Sequence, residues 1–124
     1  MNDNISSEGV FNKPWGYELI WASNQDFAAK ILVFAKENNS TDLVFHKTKN
    51  VAIFINAGKF KVKLLNTKNA SFTERIVEEG GAITINPMQP YQFQALKDNS
   101  SITLVSSVDN LDDVYTILLG QQDV

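Results

Sequence analysis

The chain contains a single histidine, His46, and no cysteine, so His46 is its only imidazole and it has no thiol. An unperturbed imidazole titrates near neutral pH, which makes His46 a candidate general acid or base, or a lone ligand of a bound molecule. The alternative is a structural role, in which a partly buried ring is hydrogen-bonded to a neighbouring backbone group. Because cysteine is absent, disulfides, thiolate metal sites and cysteine nucleophiles are all excluded.

Lysines are concentrated just after this histidine. Lys47 and Lys49 could hold the phosphate of an anionic sugar as point charges, without the bidentate geometry of arginine. Lys59, Lys61 and Lys63 could belong to the same anion site. Because they alternate with apolar residues, we expect them instead on a solvated strand face where their charge discourages edge-to-edge pairing.

The composition excludes several classes of function. The 124 residues suffice for one domain with a real core, and 44% of them are hydrophobic. A net charge of −3 and a pI near 5.0 argue against nucleic-acid binding, which normally requires a basic surface. No apolar run is long enough to span a bilayer, and the polar start of the chain does not resemble a signal peptide. We therefore predict a cytoplasmic protein with no nucleic-acid or membrane partner, whose single domain covers residues 11–119 between polar tails at 1–10 and 120–124.

Short stretches of alternating apolar and polar residues dominate the chain, and no window predicts an amphipathic helix. The clearest stretch sets Phe60, Val62 and Leu64 against the three lysines described above, as a half-buried antiparallel strand requires. In the stretch after Asp26 the alternating apolar residues are Phe27, Ala29, Ile31, Val33 and Ala35. Turn-forming clusters separate about eight to ten such segments, which predicts an all-β sandwich or barrel.

Two stretches of the chain resemble the cupin superfamily. The first, from His46 to Gly58, is similar to the family's motif of two histidines, a glutamate and a glycine, and the second, from Gly81 to Pro87, matches its spacing of glycine, five residues and proline. The opening Lys13-Pro14-Trp15-Gly16-Tyr17-Glu18 resembles the start of the cupin domain in type II mannose-6-phosphate isomerases, which are often fused to mannose-1-phosphate guanylyltransferases. The resemblance covers roughly residues 11–119 and implies a cupin-type jelly-roll barrel of two antiparallel sheets.

The residues at the family's metal-ligand positions depart from its pattern. Only His46 matches, because the second histidine position holds Thr48 and the glutamate position holds Val51. The last histidine position holds Gln92, or Tyr91 if the second motif is shortened by one residue. None of these side chains replaces the imidazole and carboxylate ligands of a cupin metal site. The resemblance therefore implies that the metal site is lost, and we predict no metal and no other cofactor.

Two expectations conflict in the segment that contains Tyr91. The period of two along a strand sends Tyr91 and Phe93 into the barrel as core aromatics, whereas the ungapped family register sends Gln92 there. Both can hold only with a bulge or a one-residue deletion, and a pocket wall of mixed polar and aromatic side chains is the alternative to an aromatic core.

The resemblance implies that a ligand would bind in the barrel mouth, where we predict contacts with His46, Thr48, Lys49, Tyr91 and Gln92. The leading hypothesis is a metal-free binding protein for a small polar ligand, such as a sugar or a sugar phosphate. The first alternative is a sugar-phosphate isomerase or epimerase with His46 as acid and base, in which Lys47 or Lys49 would stabilise the enediolate. The second alternative is a structural or regulatory homodimer. We also expect the binding protein to form a homodimer, with the aromatic strand from Trp15 to Trp21 as a candidate for the interface.

Overall fold

The structure is a computed structural model, which describes residues 9–107 and 113–120. These ranges contain eleven strands and no α-helix, which confirms the predicted all-β fold. The strands are β1 (Gly9–Lys13), β2 (Gly16–Ser23), β3 (Ala28–Phe34), β4 (Leu43–Phe45), β5 (Val51–Ala57), β6 (Lys59–Asn66), β7 (Ser71–Glu78), β8 (Ala82–Ile85), β9 (Tyr91–Ala95), β10 (Ser100–Ser106) and β11 (Tyr115–Leu118). Within the described ranges, no helix is long and apolar enough to cross a membrane.

The strands form two sheets that face each other across the core. The larger sheet has the order β1-β2-β3-β10-β5-β8, and the smaller sheet has the order β11-β4-β9-β6-β7. Every pair of neighbouring strands is antiparallel. The predicted barrel of two antiparallel sheets is therefore confirmed.

Residues at both ends of the described chain contact the domain. Gly9 and Val10, predicted to belong to the N-terminal tail, form the start of β1 and pair with β2. Gly120, assigned to the C-terminal tail, donates its backbone N–H to Asp42 Oδ1 over 2.7 Å. The rest of both tails, residues 1–8 and 121–124, lies outside the described residues.

Alternation along the strands places the apolar side chains between the sheets, where their burial stabilises the fold. Along β5 every second residue is buried, and Phe60 and Val62 of β6 are completely buried on the facing sheet. Trp15, just before β2, stacks on Phe34 with ring centroids 4.5 Å apart, and Phe34 contacts Phe60 edge to face at 5.0 Å. The aromatic chain Trp15–Phe34–Phe60 thus joins the two sheets.

The three lysines of β6 face outward, as predicted, but they do not protect an edge. β6 lies between β9 and β7, so β7 is the edge strand of the smaller sheet. Lys59 and Lys63 lie opposite Glu78 and Glu74 of β7, and Lys61 Nζ lies 3.6 Å from Glu74 Oε1. The lysines therefore pair with acidic residues across the strand boundary, which is the arrangement that stabilises neighbouring strands.

The outer face of the larger sheet carries no charge on its central strands. In β2, β3, β5 and β10 the only charged residues are Glu18 and Lys30, and both face the interior. Leu19, Ile31, Thr103 and Phe54 form one row across this outer face. For Trp15, Tyr17 and Trp21 the sequence predicts positions in the core or at an interface. Trp15 is buried in the core, whereas Tyr17 and Trp21 are 41% and 54% exposed.

Candidate functional site

A cavity of about 420 Å³ lies between the two sheets and is lined by both of them. Its walls are largely apolar, with Trp15, Leu32, Val51, Phe93 and Leu104 among the lining residues. Its polar and charged lining residues are Lys13, Glu18, Lys30, Thr41, Asp42, His46, Lys49 and Tyr91. A mostly apolar cavity with a few convergent polar groups is the usual form of a small-molecule site.

His46 lies at the end of β4 and is only 6% exposed. Its Nδ1 lies 2.7 Å from the backbone carbonyl oxygen of Asp113, and its Nε2 lies 2.7 Å from the hydroxyl of Tyr91. Because a carbonyl oxygen can only accept, Nδ1 carries the proton and donates it to Asp113. In the neutral ring Nε2 is then an acceptor, and the Tyr91 hydroxyl donates to it.

The surroundings of His46 favour this neutral ring. Burial lowers the pKa of His46 below 6.5, and the positive charges of Lys49 and Lys30 lower it further. The hydrogen bond to the Asp113 carbonyl and the Asp113 charge act in the opposite direction without reversing the shift. His46 therefore enters the cavity wall as an uncharged, doubly hydrogen-bonded ring.

Two buried lysines bring positive charge into the cavity. Lys49, in the turn before β5, is 6% exposed. Lys30 projects inward from the middle of β3, and its Nζ lies 3.6 Å from Glu18 Oε1 on β2. Both side chains of this ion pair are 14% exposed, so the pair is largely shielded from solvent. Lys49 and the Lys30–Glu18 ion pair therefore bring charged groups into the largely apolar wall of the cavity.

Asp113 holds the turn that carries His46 and Lys49. Its Oδ1 accepts the backbone N–H of Lys47 over 2.7 Å. Its Oδ2 accepts the backbone N–H groups of Thr48 and Lys49, each over 3.1 Å, and the Thr48 hydroxyl over 2.9 Å. These hydrogen bonds, led by the one from Lys47, lower the pKa of Asp113 from 3.8 to about 2.

The structure brings three of the predicted site residues together and separates two. His46, Lys49 and Tyr91 all line the cavity. Thr48 is exposed, and its hydroxyl is directed to Asp113. Gln92 points to the other side of β9, where its side-chain amide donates to the Thr41 carbonyl over 2.8 Å. Neither Thr48 nor Gln92 is among the residues that line the cavity.

The conflict over register is thereby decided in favour of the aromatic residues. Tyr91 and Phe93 are 6% and 1% exposed and face the core, whereas Gln92 is half-buried on the opposite face. β9 pairs with β6 in an unbroken register from Leu64–Tyr91 to Phe60–Ala95, without a bulge that would turn Gln92 inward. The ungapped family register is therefore wrong at this segment, and Tyr91 occupies the inward position.

The residues of the cavity do not fit the metal that cupin relatives would imply. Both nitrogens of His46 are already hydrogen-bonded, and the Val51 position offers no lone pair. The Thr48 hydroxyl is engaged with Asp113 outside the cavity lining. Among the described residues, no three His, Cys, Asp or Glu side chains are grouped so that they could hold a metal ion. A conventional site needs about four such donors, so this donor set does not supply one.

Sequence reasoning missed Lys30 and Asp113 as parts of the site. Along β3 the residues that face the core include Lys30, Leu32 and Phe34, which lie between the alternating apolar residues noted after Asp26. A signal was present, since Lys30 is the only charged residue of an otherwise apolar strand. Asp113 gives no comparable signal, because its partners lie 64 to 67 residues earlier in the chain.

No protein-family model matches this chain, and no curated protein sequence matches it. Solved structures resemble it in fold. Oxalate decarboxylase from Bacillus subtilis superposes with a TM-score of 0.78 at 16% identity, over 91% of this chain and 31% of that one. The capsular polysaccharide assembling protein CapF from Staphylococcus aureus gives a TM-score of 0.77 at 15% identity, over 89% and 34% of the two chains.

KdgF from Halomonas sp. is similar over most of its length, with a TM-score of 0.70 at 19% identity across 86% of this chain and 91% of that one. The chain thus spans about a third of the first two proteins and nearly all of the third. At these identities the likeness concerns the fold alone. Together with the two antiparallel sheets and the cavity between them, it shows that this chain has the cupin fold.

Proposed function

We propose that this chain is a cupin-fold binding protein that takes a small anionic ligand, such as a sugar phosphate, into the cavity between its sheets without a conventional metal site. The observation that carries the proposal is the placement of Lys30 and Lys49 inside a largely apolar cavity. Burying an ammonium group is costly unless negative charge lies close to it, and an anionic ligand would add such a charge beside Lys49 and the Lys30–Glu18 ion pair.

The lowered pKa of His46 also supports an anionic ligand. Both Lys30 and Lys49 lower the pKa of His46, so their charges act on the same region of the cavity. The low dielectric of a buried site strengthens the attraction of such charges for an anion compared with bulk water. An ammonium group binds phosphate as a compact point charge, so two lysines fit a phosphate or carboxylate without imposing one geometry.

The size and the walls of the cavity agree with a sugar derivative. A volume of about 420 Å³ lies within the usual range for small-molecule sites, which is about 300–1,000 Å³. The Trp15 ring and the apolar side chains beside it offer surfaces for the C–H faces of a sugar ring. The resemblance of residues 13–18 to mannose-6-phosphate isomerases is the reason to begin with mannose 6-phosphate.

Calorimetry with mannose 6-phosphate, free mannose and inorganic phosphate tests this proposal. We expect mannose 6-phosphate to bind and mannose to bind at least about tenfold more weakly. We expect Lys49→Met to reduce this difference by about tenfold, because a charge-assisted contact in a shielded site contributes about 1.4 kcal/mol or more. Lys63→Met is the matched control, since Lys63 lies on the outer face of β6. Equal affinities for mannose and its phosphate, or equal effects of the two lysine variants, would contradict the proposal.

A second candidate function is acid–base catalysis of a sugar-phosphate isomerase or epimerase type. It is favoured by the hydrogen bond between the Tyr91 hydroxyl and His46 Nε2, which joins two titratable groups within the cavity. In such a step the Tyr91 oxygen takes a proton from the substrate while the Tyr91 hydroxyl passes its own proton to His46 Nε2, and Lys49 stabilises the negative charge that develops on the substrate. Incorporation of deuterium from D₂O into mannose 6-phosphate, lost in His46→Asn, would support catalysis. If no carbon-bound proton of mannose 6-phosphate exchanges, the catalytic function is contradicted and only the binding function stands.

A further inference from the structure

We infer that Asp113 is the positioning residue of the cavity: it fixes residues 46–49 so that the His46 ring and the Lys49 ammonium group both enter the binding site. The inference rests on the proposed function, because it concerns how that site is held in a binding conformation. It adds a residue from the C-terminal part of the chain that the cupin-like motifs do not include.

The carboxylate of Asp113 binds three consecutive backbone N–H groups. They belong to Lys47, Thr48 and Lys49, and the Thr48 hydroxyl adds a fourth donor. Successive N–H groups that converge on one anion form a concave binding site, and hydrogen bonds to a charged acceptor are stronger than neutral ones. The carboxylate therefore fixes the backbone of this turn at three adjacent residues.

The main chain of Asp113 acts on the other end of the same turn. Its carbonyl oxygen accepts the Nδ1 proton of His46 over 2.7 Å. This bond selects the tautomer in which Nε2 accepts the Tyr91 hydroxyl, and it therefore orients His46 with respect to Tyr91. One residue thus sets the ring of His46 through its carbonyl and the backbone of Lys49 through its carboxylate.

The position of the turn explains why this matters for binding. His46 and Lys49 are 6% exposed and line the cavity, whereas Lys47 and Thr48 between them are exposed to solvent. Of these two exposed residues, Lys47 places its Nζ over the ring of Tyr115 in β11, 4.8 Å from the centroid, and Thr48 is hydrogen-bonded to Asp113. A rotation of this turn would carry both cavity residues out of place together.

The experiment compares Asp113→Asn with Asp98→Asn. Asp98 also accepts a loop N–H, that of Glu37 over 2.8 Å, but it is exposed and lies outside the cavity lining. An asparagine at position 113 directs amide hydrogens at backbone donors, so it cannot reproduce the four bonds of the carboxylate. If Asp113→Asn does not fold, the same measurements are made on Asp113→Glu, which retains the charge.

The first measurement needs no ligand. Because His46 is the only histidine, its ring nitrogens give one unambiguous ¹⁵N pattern. We expect protonated Nδ1 in the unsubstituted protein and in Asp98→Asn. In Asp113→Asn we expect a mixture of tautomers, together with upfield shifts of the amide protons of residues 47–49. An Asp113→Asn spectrum identical to that of Asp98→Asn would overturn the inference.

The second measurement is the affinity for mannose 6-phosphate. We expect Asp113→Asn to weaken binding by about tenfold or more, since a misplaced binding group loses most of its contribution, and Asp98→Asn to leave it unchanged. If the unsubstituted protein does not bind mannose 6-phosphate, the proposed function fails for that ligand, and the tautomer measurement still decides the role of Asp113. If Asp113→Asn binds as tightly as the unsubstituted protein, the proposed function stands and the positioning role is wrong.

Discussion

Replacing Tyr91 by phenylalanine removes one atom from the hydrogen-bonded network of the cavity. The Tyr91 hydroxyl lies 2.7 Å from His46 Nε2, and both residues are 6% exposed. The Tyr91→Phe ring can keep its contacts with Phe93 and His46, whose centroids lie 5.1 and 5.5 Å away. The substitution therefore tests the hydrogen bond with little change in packing.

The expected cost follows from the burial of the acceptor that is left behind. A buried acceptor without its donor destabilises a protein by about 1–3 kcal/mol. Because His46 lines a cavity that water can enter, a water molecule can replace part of the lost bond, and we expect the lower half of that range, about 1–2 kcal/mol.

Urea denaturation measures this loss as a lower midpoint at an unchanged m-value. In thermal unfolding, a loss of 1 kcal/mol corresponds to a fall in Tm of about 2–8 °C for domains of roughly 60–250 residues. Tyr17→Phe is the matched control, because Tyr17 is 41% exposed on the outer face of the larger sheet and its loss should stay within about 0.5 kcal/mol. If Tyr91→Phe is no more destabilising than Tyr17→Phe, the hydroxyl does not donate to His46, and the assigned tautomer is wrong.

Three further predictions concern pH, a turn and self-association. Because the folded state lowers the pKa of His46, the unfolded chain takes up a proton first, so the free energy of unfolding should fall as the pH drops below 6.5. Urea titrations at several pH values should show that His46→Gln reduces the pH dependence of the free energy of unfolding. An unchanged pH dependence would contradict the lowered pKa of His46. Gly58→Ala should destabilise the protein by about 2–4 kcal/mol in urea titrations, because φ is +81° and the added Cβ would overlap Ser100 Oγ. The control is Gly80→Ala, which has a similar φ of +88° but open space around the added Cβ, and it should cost only about 1–2 kcal/mol. Equal costs for the two substitutions would show that the overlap at Gly58 relaxes. We also expect the protein to form a homodimer through the uncharged outer face of the larger sheet. Sedimentation should show dimers, and Phe54→Lys, at a 47% exposed position on this face, should convert them to monomers. A monomeric unsubstituted protein would refute the prediction.

The parts of the fold that the sequence predicts are those with a local pattern. β6 alternates lysines with Phe60 and Val62, and the structure buries the two apolar side chains completely. A period of two is a property of consecutive residues, so it can be read without knowing what the strand packs against. The same period placed Tyr91 and Phe93 correctly, where the spacing of the family motif did not.

The parts that the sequence does not predict depend on the opposite strand or on distant residues. β3 carries apolar residues on both of its faces, so its sequence pattern does not show which face is buried. Lys30 faces inward beside Glu18 of β2. His46 and Lys49 could be named as candidates from their motif. The geometry of these two side chains could not be predicted, because it depends on Asp113, which no local sequence pattern connects to them.

The position of β10 has a consequence for how the chain folds. β10 lies between β3 and β5 in the larger sheet, although it follows both by more than forty residues in the sequence. Until Ser100–Ser106 has been synthesised, the β1-β2-β3 meander and the β5-β8 pair cannot join, and the pairing edges of β3 and β5 stay open. Such non-local pairing slows folding and leaves aggregation-prone edges exposed on the nascent chain. The larger sheet therefore closes late during synthesis, and a fragment that ends before Ser100 would contain two incomplete half-sheets instead of a smaller folded domain.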